Sequence, residues 1–373
     1  DVYKRQSVDF SGSYQYRINK YDLDFGPGMS VEMDHNTYSL GATVSQPIYA
    51  GGQIYNNYKA AQVQGKITEQ AEELTTDNIV YSADLNYWTA AARKGMYDVM
   101  CQYVDIVGEL ANVLTIRFND GQISKTDLLQ VESRLKEAEL NKSSAYKEYQ
   151  IALQNLNSLM GVSPLDPIEV EDSITTYLAL PLQVGEDVAL RNRPDYAISE
   201  LNIEYQKRQI NLSKAKYNPS LAIGFQGTWG TPMLNVKGSD QLWTPAVFAS
   251  LKIPLFRWGA RFKEVNSQKA ILRSKEYALD NTRDKIAQEV ANAWTSLTEY
   301  TKQITVAEEA CKIAEENLDL NTFSYNEGKL PILDVLSAQL SWIQSYSSLI
   351  QTWYQQKASL AQYNKAIGIR RLQ

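Results

Sequence analysis

One register of self-similarity runs through most of the 373-residue chain. Displaced by 207 positions, Pro47 falls on Pro254, Gly52 on Gly259, Asp77 on Asp284, Gly121 on Gly328, Asp127 on Asp334, Asn157 on Asn364 and Gly161 on Gly368. The register holds without an insertion, so the chain is a tandem duplication, and an element found in one copy is expected in the other.

Each copy reads as strand, loop, strand, long helix, tight turn, long helix. Val8, Phe10, Tyr14, Tyr16 and Ile18 alternate with polar residues, as in a strand with one apolar face, and Tyr38, Leu40, Ala42 and Val44 do the same ahead of Pro47. Leu221, Ile223, Phe225 and Trp229, then Val247, Ala249, Leu251 and Ile253, repeat the pattern. The expected strands are 8–18, 38–49, 220–229 and 246–256; the links Asn19–Thr37 and Gly230–Thr244 are polar and long for hairpin loops. From Gln53 to about Phe118 no proline interrupts, which allows a single helix of roughly 100 Å at ~1.5 Å per residue.

The expected helices are 53–118 and 126–160 in the first copy, and 194–217, 257–323 and 331–367 in the second. Heptad seams run along the downstream helices, Leu128 to Leu156 beside Val131 to Leu159, and Val335 to Tyr363 beside Ala338 to Ala366. The repeats are therefore 7–161 and 194–368, joined by the proline-bearing region 162–193 and followed by a stub, 369–373. Helix 194–217 has no counterpart before the first strand. A further helix and an export signal are therefore expected upstream in the natural chain, and Asp1–Gln6 is expected to be foreign to it.

Composition narrows the chemistry. Asp and Glu number 43 against 37 Lys and Arg, with no basic run, which argues against a nucleic-acid partner. Cys101, Cys311 and the single His35 are too few for a disulfide framework or a Cys/His metal site. No stretch approaches the ~20 consecutive apolar residues of a membrane-spanning helix, and the mean hydropathy is −0.38. No nucleophile elbow, P-loop or zinc-helix motif is present, and Gly26-Pro27-Gly28 reads as a loop breaker. No enzyme, catalytic residue, metal or cofactor is expected.

The strand exits Gln46-Pro47-Ile48-Tyr49-Ala50-Gly51-Gly52 and Ile253-Pro254-Leu255-Phe256-Arg257-Trp258-Gly259 resemble those of the TolC-type outer-membrane efflux proteins. So do the turns from Arg117-Phe118-Asn119-Asp120-Gly121 to Asp127 and from Tyr325-Asn326-Glu327-Gly328 to Asp334, and the likeness covers the chain after Gln6. It implies a mainly α fold with a β-barrel contribution. Long antiparallel helical hairpins would form a periplasmic α-barrel tunnel, and each chain of a homotrimer would give four strands to a 12-stranded barrel in outer-membrane lipid. Two physical arguments agree. Tilted strands of about 11 residues match a hydrocarbon band of ~25 Å, and four strands leave two open edges that copies of the chain would close. A soluble four-stranded sheet packed on helices suits the long loops and tall helices poorly.

The resemblance also implies partners: a periplasmic membrane-fusion adaptor and an inner-membrane pump of RND or ABC type. The function it implies is an exit duct that conducts small molecules passively. The alternatives are a duct for type I protein secretion, metal export, for which no ligand track stands out, and, from another class, a soluble periplasmic coiled-coil adaptor or scaffold. The family's acidic aperture maps onto Asp334, which a three-fold axis would make a ring of three carboxylates favouring cations. Ser337 stands where the family often has a second acid. Leu330 stands where an Arg often tethers the closed state to partners near Tyr325 and Asp127, so gating is expected to rest on packing around Leu330 and Pro331. Asp127 and Asp334 also fall near helix N-termini, where the dipole favours a carboxylate, and for Asp127 capping competes with the gate reading. Asn119, Gly121, Asn326 and Gly328 mark the adaptor-docking turns. Tyr14, Tyr16, Tyr38, Trp229 and Trp243 are the expected membrane-interface aromatics.

Overall fold

The computed structural model describes residues 6–19, 22–24, 26–27, 30–232, 236–237 and 239–369. Residues 1–5, Gly28 of the loop breaker and 370–373 of the expected stub lie outside them. The elements in chain order are β1 (Ser7–Tyr16), β2 (Asp22–Asp24), β3 (Ser30–Glu32), β4 (Asn36–Ala50), α1 (Gln53–Asn119), α2 (Lys125–Met160), α3 (Glu186–Asn192), α4 (Pro194–Ala215), β5 (Ser220–Gly230), β6 (Leu242–Lys252), α5 (Ala260–Asn326) and α6 (Ile332–Ala366). The duplication reaches element length, since α1 and α5 are both 67 residues.

Several boundaries differ from the sequence reading. β6 is 242–252 rather than 246–256, because its ladder with β5 opens at Gly230↔Leu242 and closes at Ser220↔Lys252; two residues later Pro254 has no N–H to donate. α5 starts at 260 rather than 257, since Trp258 and Gly259 take left-handed φ of 44° and 71°. β1 ends at Tyr16 rather than 18, and α4 at Ala215 rather than 217. The link 19–37 is not wholly loop: it carries the β2–β3 hairpin, paired Leu23↔Val31. The connecting region contains α3.

The chain divides into two units, Asp1–Glu69 with Ile198–Asp280, and Gln70–Ala197 with Asn281–Gln373. The first holds an antiparallel sheet in the order β1-β4-β5-β6. Its register joins Val8, Val44, Phe225 and Val247 in one row, and Asp9, Thr43, Gln226 and Ala246 in the next. Side chains alternate across a strand, so one face collects aliphatic and aromatic residues and the other Ser, Thr and Gln. Hydroxyls pair across the polar face, Ser7 with Ser45 at 2.7 Å and Ser13 with Ser39 at 2.9 Å. The apolar face is uncovered: Phe10 is 75% and Val247 83% exposed. β1 and β6 are free edges.

At the β4–α1 junction the backbone needs glycine. Gly51 has φ 63°, and a Cβ there would lie 2.6 Å from Ala215 O, while Asn218 Nδ2 donates to Gly51 O at 2.8 Å. Gly51→Ala is expected to cost at least about 2 kcal/mol, from the left-handed strain and the clash together; the urea unfolding midpoint reads it, and an unchanged midpoint counts against this packing.

The second unit has one large core. α1 gives Val107, Leu110 and Leu114, α2 gives Leu128, Val131 and Ala138, α5 gives Leu318 and Tyr325, and α6 gives Val335, Trp342 and Trp353. The seam of α2 is buried at Leu128, Val131, Ala138, Ala145, Ala152 and Leu156. α6 buries a second stripe as well, including Leu336, Ile343, Ile350 and Lys357. At Lys357 that stripe lies beneath the connecting segment, which is pinned by side chain to backbone bonds: Lys94 Nζ to Val170 O at 2.8 Å, Lys357 Nζ to Thr176 O, and Tyr363 OH to Leu182 O at 3.3 Å. One stretch of α1 is apolar enough by length and composition to cross a membrane, with mean hydropathy 1.3. In the same helix Tyr103, Val107, Leu110 and Leu114 enter the core, which is sufficient reason for it.

Candidate gate at the hairpin tips

The same backbone device closes both tips. Gln122 N–H donates to Arg117 O at 2.8 Å and Gly121 N–H to Phe118 O at 2.9 Å; in the second copy Lys329 N–H donates to Ser324 O and Gly328 N–H to Tyr325 O, both at 2.9 Å. This pattern satisfies the last carbonyls of a helix and requires a left-handed residue, which Gly121 (φ 71°) and Gly328 (φ 70°) supply without a Cβ penalty.

The tips diverge at the following cap. Ser124 caps α2: its Oγ accepts from Asp127 N–H at 3.2 Å, and Asp127 Oδ2 accepts from Ser124 Oγ at 2.8 Å and from Ser124 N–H at 3.4 Å. Such a box satisfies two otherwise orphaned donors, and it commits the Asp127 carboxylate. Pro331 stands at the equivalent place in the second copy and caps α6 without a side-chain bond. Asp334 is accordingly left exposed, and among the described residues no side-chain hydrogen bond or ion pair engages its carboxylate. Ser337, three residues on and so on the same helix face, is exposed too.

The remaining expected residues fall into two groups. Asn119, Gly121, Asn326 and Gly328 are exposed at the turns, whereas Tyr325 is buried in the core and Leu330 is half-buried. Among the described residues no hydrogen bond links Leu330 or Asp127 to Tyr325. The residue that joins the tips is Arg117, in the last turn of α1. Its guanidinium carbon lies 5.2 Å from the Tyr325 ring centre, and its Nη2 donates to Asn326 O at 3.2 Å and to Asn326 Oδ1 at 3.3 Å. The sequence signal for Arg117 is a basic residue at a helix C-terminus; its partners lie more than 200 positions away, beyond the reach of any local pattern. The arrangement provides a breakable polar clasp between two helical hairpins, on one of which an unpartnered carboxylate is displayed. Among the described residues no three His, Cys, Asp or Glu stand together as metal ligands.

Known proteins share this organisation. A model of the family described as outer membrane efflux protein matches residues 6–162 and 187–369. The chain is 25% identical over 260 residues to nodulation protein T of Rhizobium leguminosarum bv. trifolii, covering 68% of this chain and 55% of that protein. It is 20% identical over 317 residues to outer membrane efflux protein BepC of Brucella suis biovar 1 (strain 1330), covering 84% and 68%. The chain thus spans little more than half of the first relative and about two thirds of the second. Among solved structures, the CmeC outer membrane channel of Campylobacter jejuni superposes with TM-score 0.77 at 18% identity, over 98% of this chain and 78% of that one.

Proposed function

The chain belongs to the outer membrane efflux protein family, and on that premise we propose that three copies form a passive exit duct, delivering small molecules from a periplasmic adaptor and an inner-membrane pump to the exterior. The observation that carries this reading is the sheet. One face is uncovered and apolar, the other hydroxylated, and both outer strands have free edges. In lipid each unpaired backbone group costs several kcal/mol, so the edges must close, and three copies supply twelve strands. The apolar face then meets lipid and the hydroxylated face meets water, as in barrels that conduct. A soluble adaptor gives no role to that uncovered face. An enzyme is not proposed, since no motif in the sequence and no cluster among the described residues calls for one.

The gate is assigned to the tips. Three Asp334 carboxylates around the axis stabilise cations and repel anions, while Asp127 serves its cap. The Arg117 clasp on Tyr325 and Asn326 holds the two hairpins of one protomer together and takes the place of the tether that Leu330 cannot make. Docking at Asn119, Gly121, Asn326 and Gly328 opens the tips only if the adaptor binds the open arrangement better than the closed one. The pump supplies the energy.

Planar-bilayer conductance tests the assignment. Wild type is expected to conduct with cation preference, and Asp334→Asn to lower the cation-to-anion permeability ratio several-fold; an unchanged ratio places the selective ring elsewhere. Arg117→Ala, which removes a cation–π contact and two hydrogen bonds worth about 1–3 kcal/mol together, is expected to raise the open fraction at least about fivefold. A clasp that matters only for folding would instead lower the unfolding midpoint and leave the open fraction alone.

A further inference from the structure

Phe248 is the only aromatic ring on the hydroxylated face of the sheet among the described residues. It pairs with Gly224, which pairs with Ser45, which pairs with Ser7. The neighbouring row is Asp9, Thr43, Gln226 and Ala246, and the one beyond it Ser11, Gly41, Thr228 and Thr244. An aromatic side chain on such a surface leaves apolar area in water with no core to receive it.

The ring also lies in a definite place. A Cβ at position 224 would meet Phe248 Cζ at 2.5 Å and Cε1 at 2.7 Å, so the ring occupies the space that the glycine leaves open. It is thereby laid across β5 and not raised off the sheet, and it remains partly exposed. Covering a bare glycine with a cross-strand aromatic stabilises a sheet, and Trp243 does so over Gly227 on the apolar face. On the apolar face lipid completes the environment of the ring. On the hydroxylated face only a passing solute can.

We infer that Phe248 is a stacking contact for planar aromatic solutes moving along the hydroxylated face, with Gly224 as the positioning residue that keeps the ring down on the wall. This rests on the duct reading above. Charge contributes little to selection here, because the three rows hold a single ionisable side chain, Asp9; a ring quadrupole adds a preference for cationic aromatics.

The test titrates ethidium, a planar aromatic cation, into the purified full-length protein in detergent, read by fluorescence anisotropy, beside single-channel conductance of the same preparation. Phe248→Ser is expected to raise Kd about three- to tenfold, Phe248→Tyr to restore it, and Gly224→Val, which displaces the ring, to weaken binding as well. Phe10→Ser, on the opposite face, serves as control and leaves Kd unchanged. If wild type conducts and Phe248→Ser binds ethidium as wild type does, or Phe10→Ser weakens binding equally, the stacking contact is refuted and the duct stands. If wild type does not conduct, the duct reading falls and this inference falls with it.

Discussion

Efflux through a trimer bearing Asp334→Cys falls to background when the cysteines of neighbouring protomers are oxidised to a disulfide, and returns on reduction. The effect is expected to be complete because the tips are the one place where α1, α2, α5 and α6 all end or begin, and because a gate of this kind switches between two packings without a graded series between them. Comparing the oxidised and reduced forms of one variant removes the contribution of the lost carboxylate. The native thiols permit the experiment. Burial, with Glu315 and Glu308 adding to it, pushes the Cys311 thiol up to about 11, so almost no thiolate is present at neutral pH; Cys101, half-buried, is replaced by Ser. A locked trimer with undiminished efflux would mean that the gate lies away from Asp334. Leu330→Cys, half-buried beside the clasp, then tests whether the constriction sits one turn earlier.

The repeated turns of this molecule, and the unrepeated helix α4, were legible in its sequence; contacts between residues far apart in the chain were not. The offset of 207 aligned Gly121 with Gly328, and the backbone keeps the same left-handed φ at both. Strand alternation found the faces of β1, β4 and β5, because a period of two is a local property. It misplaced β6, since Val247, Ala249, Leu251 and Ile253 continue the alternation through the end of the ladder and only pairing with β5 decides where it stops. Arg117 escaped because its partners belong to the other copy, where the equivalent of Arg117 is Ser324. The capping box at Ser124 was within reach, a Ser followed three residues later by an Asp, yet the replacement of Ser124 by Pro331 in the second copy is what separates a structural aspartate from an exposed one. Phe248 was hidden by the same alternation that revealed its strand. It is an apolar residue at a polar position, and its meaning depends on Gly224 across the ladder.

Lys357 sets the second large expectation, that the protein becomes more stable as pH rises from 8 toward 10. It lies in α6 and is 1% exposed. Its ammonium donates to Thr176 O and lies 4.8 Å from the Trp88 ring centre and 5.2 Å from that of Trp353. Burial pushes it down to about 8, with Asp172 opposing, against an ordinary value of 10.5. A depressed lysine gives the unfolded chain more bound protons than the native one between those two values. Its contribution to stability is therefore fully present above 10.5 and lost as pH falls through 8, by up to about 3 kcal/mol. Two other sets of groups act in the opposite sense. Cys311, pushed up to about 11 from 9.0, removes stability above pH 9, and buried phenols such as Tyr103, raised chiefly by desolvation, do so above pH 10. The comparison is therefore made in a Cys311→Ala background, between Lys357 and Lys357→Met, from urea midpoints at pH 8, 9 and 10. The lysine form is expected to gain stability across that series and the methionine form to stay level. Equal slopes would mean that water reaches the ammonium, and that the contact with Thr176 does not seal the connecting segment over α6. A steep slope for Lys357 alone would make the segment's closure over α6 depend on the burial of this one ammonium.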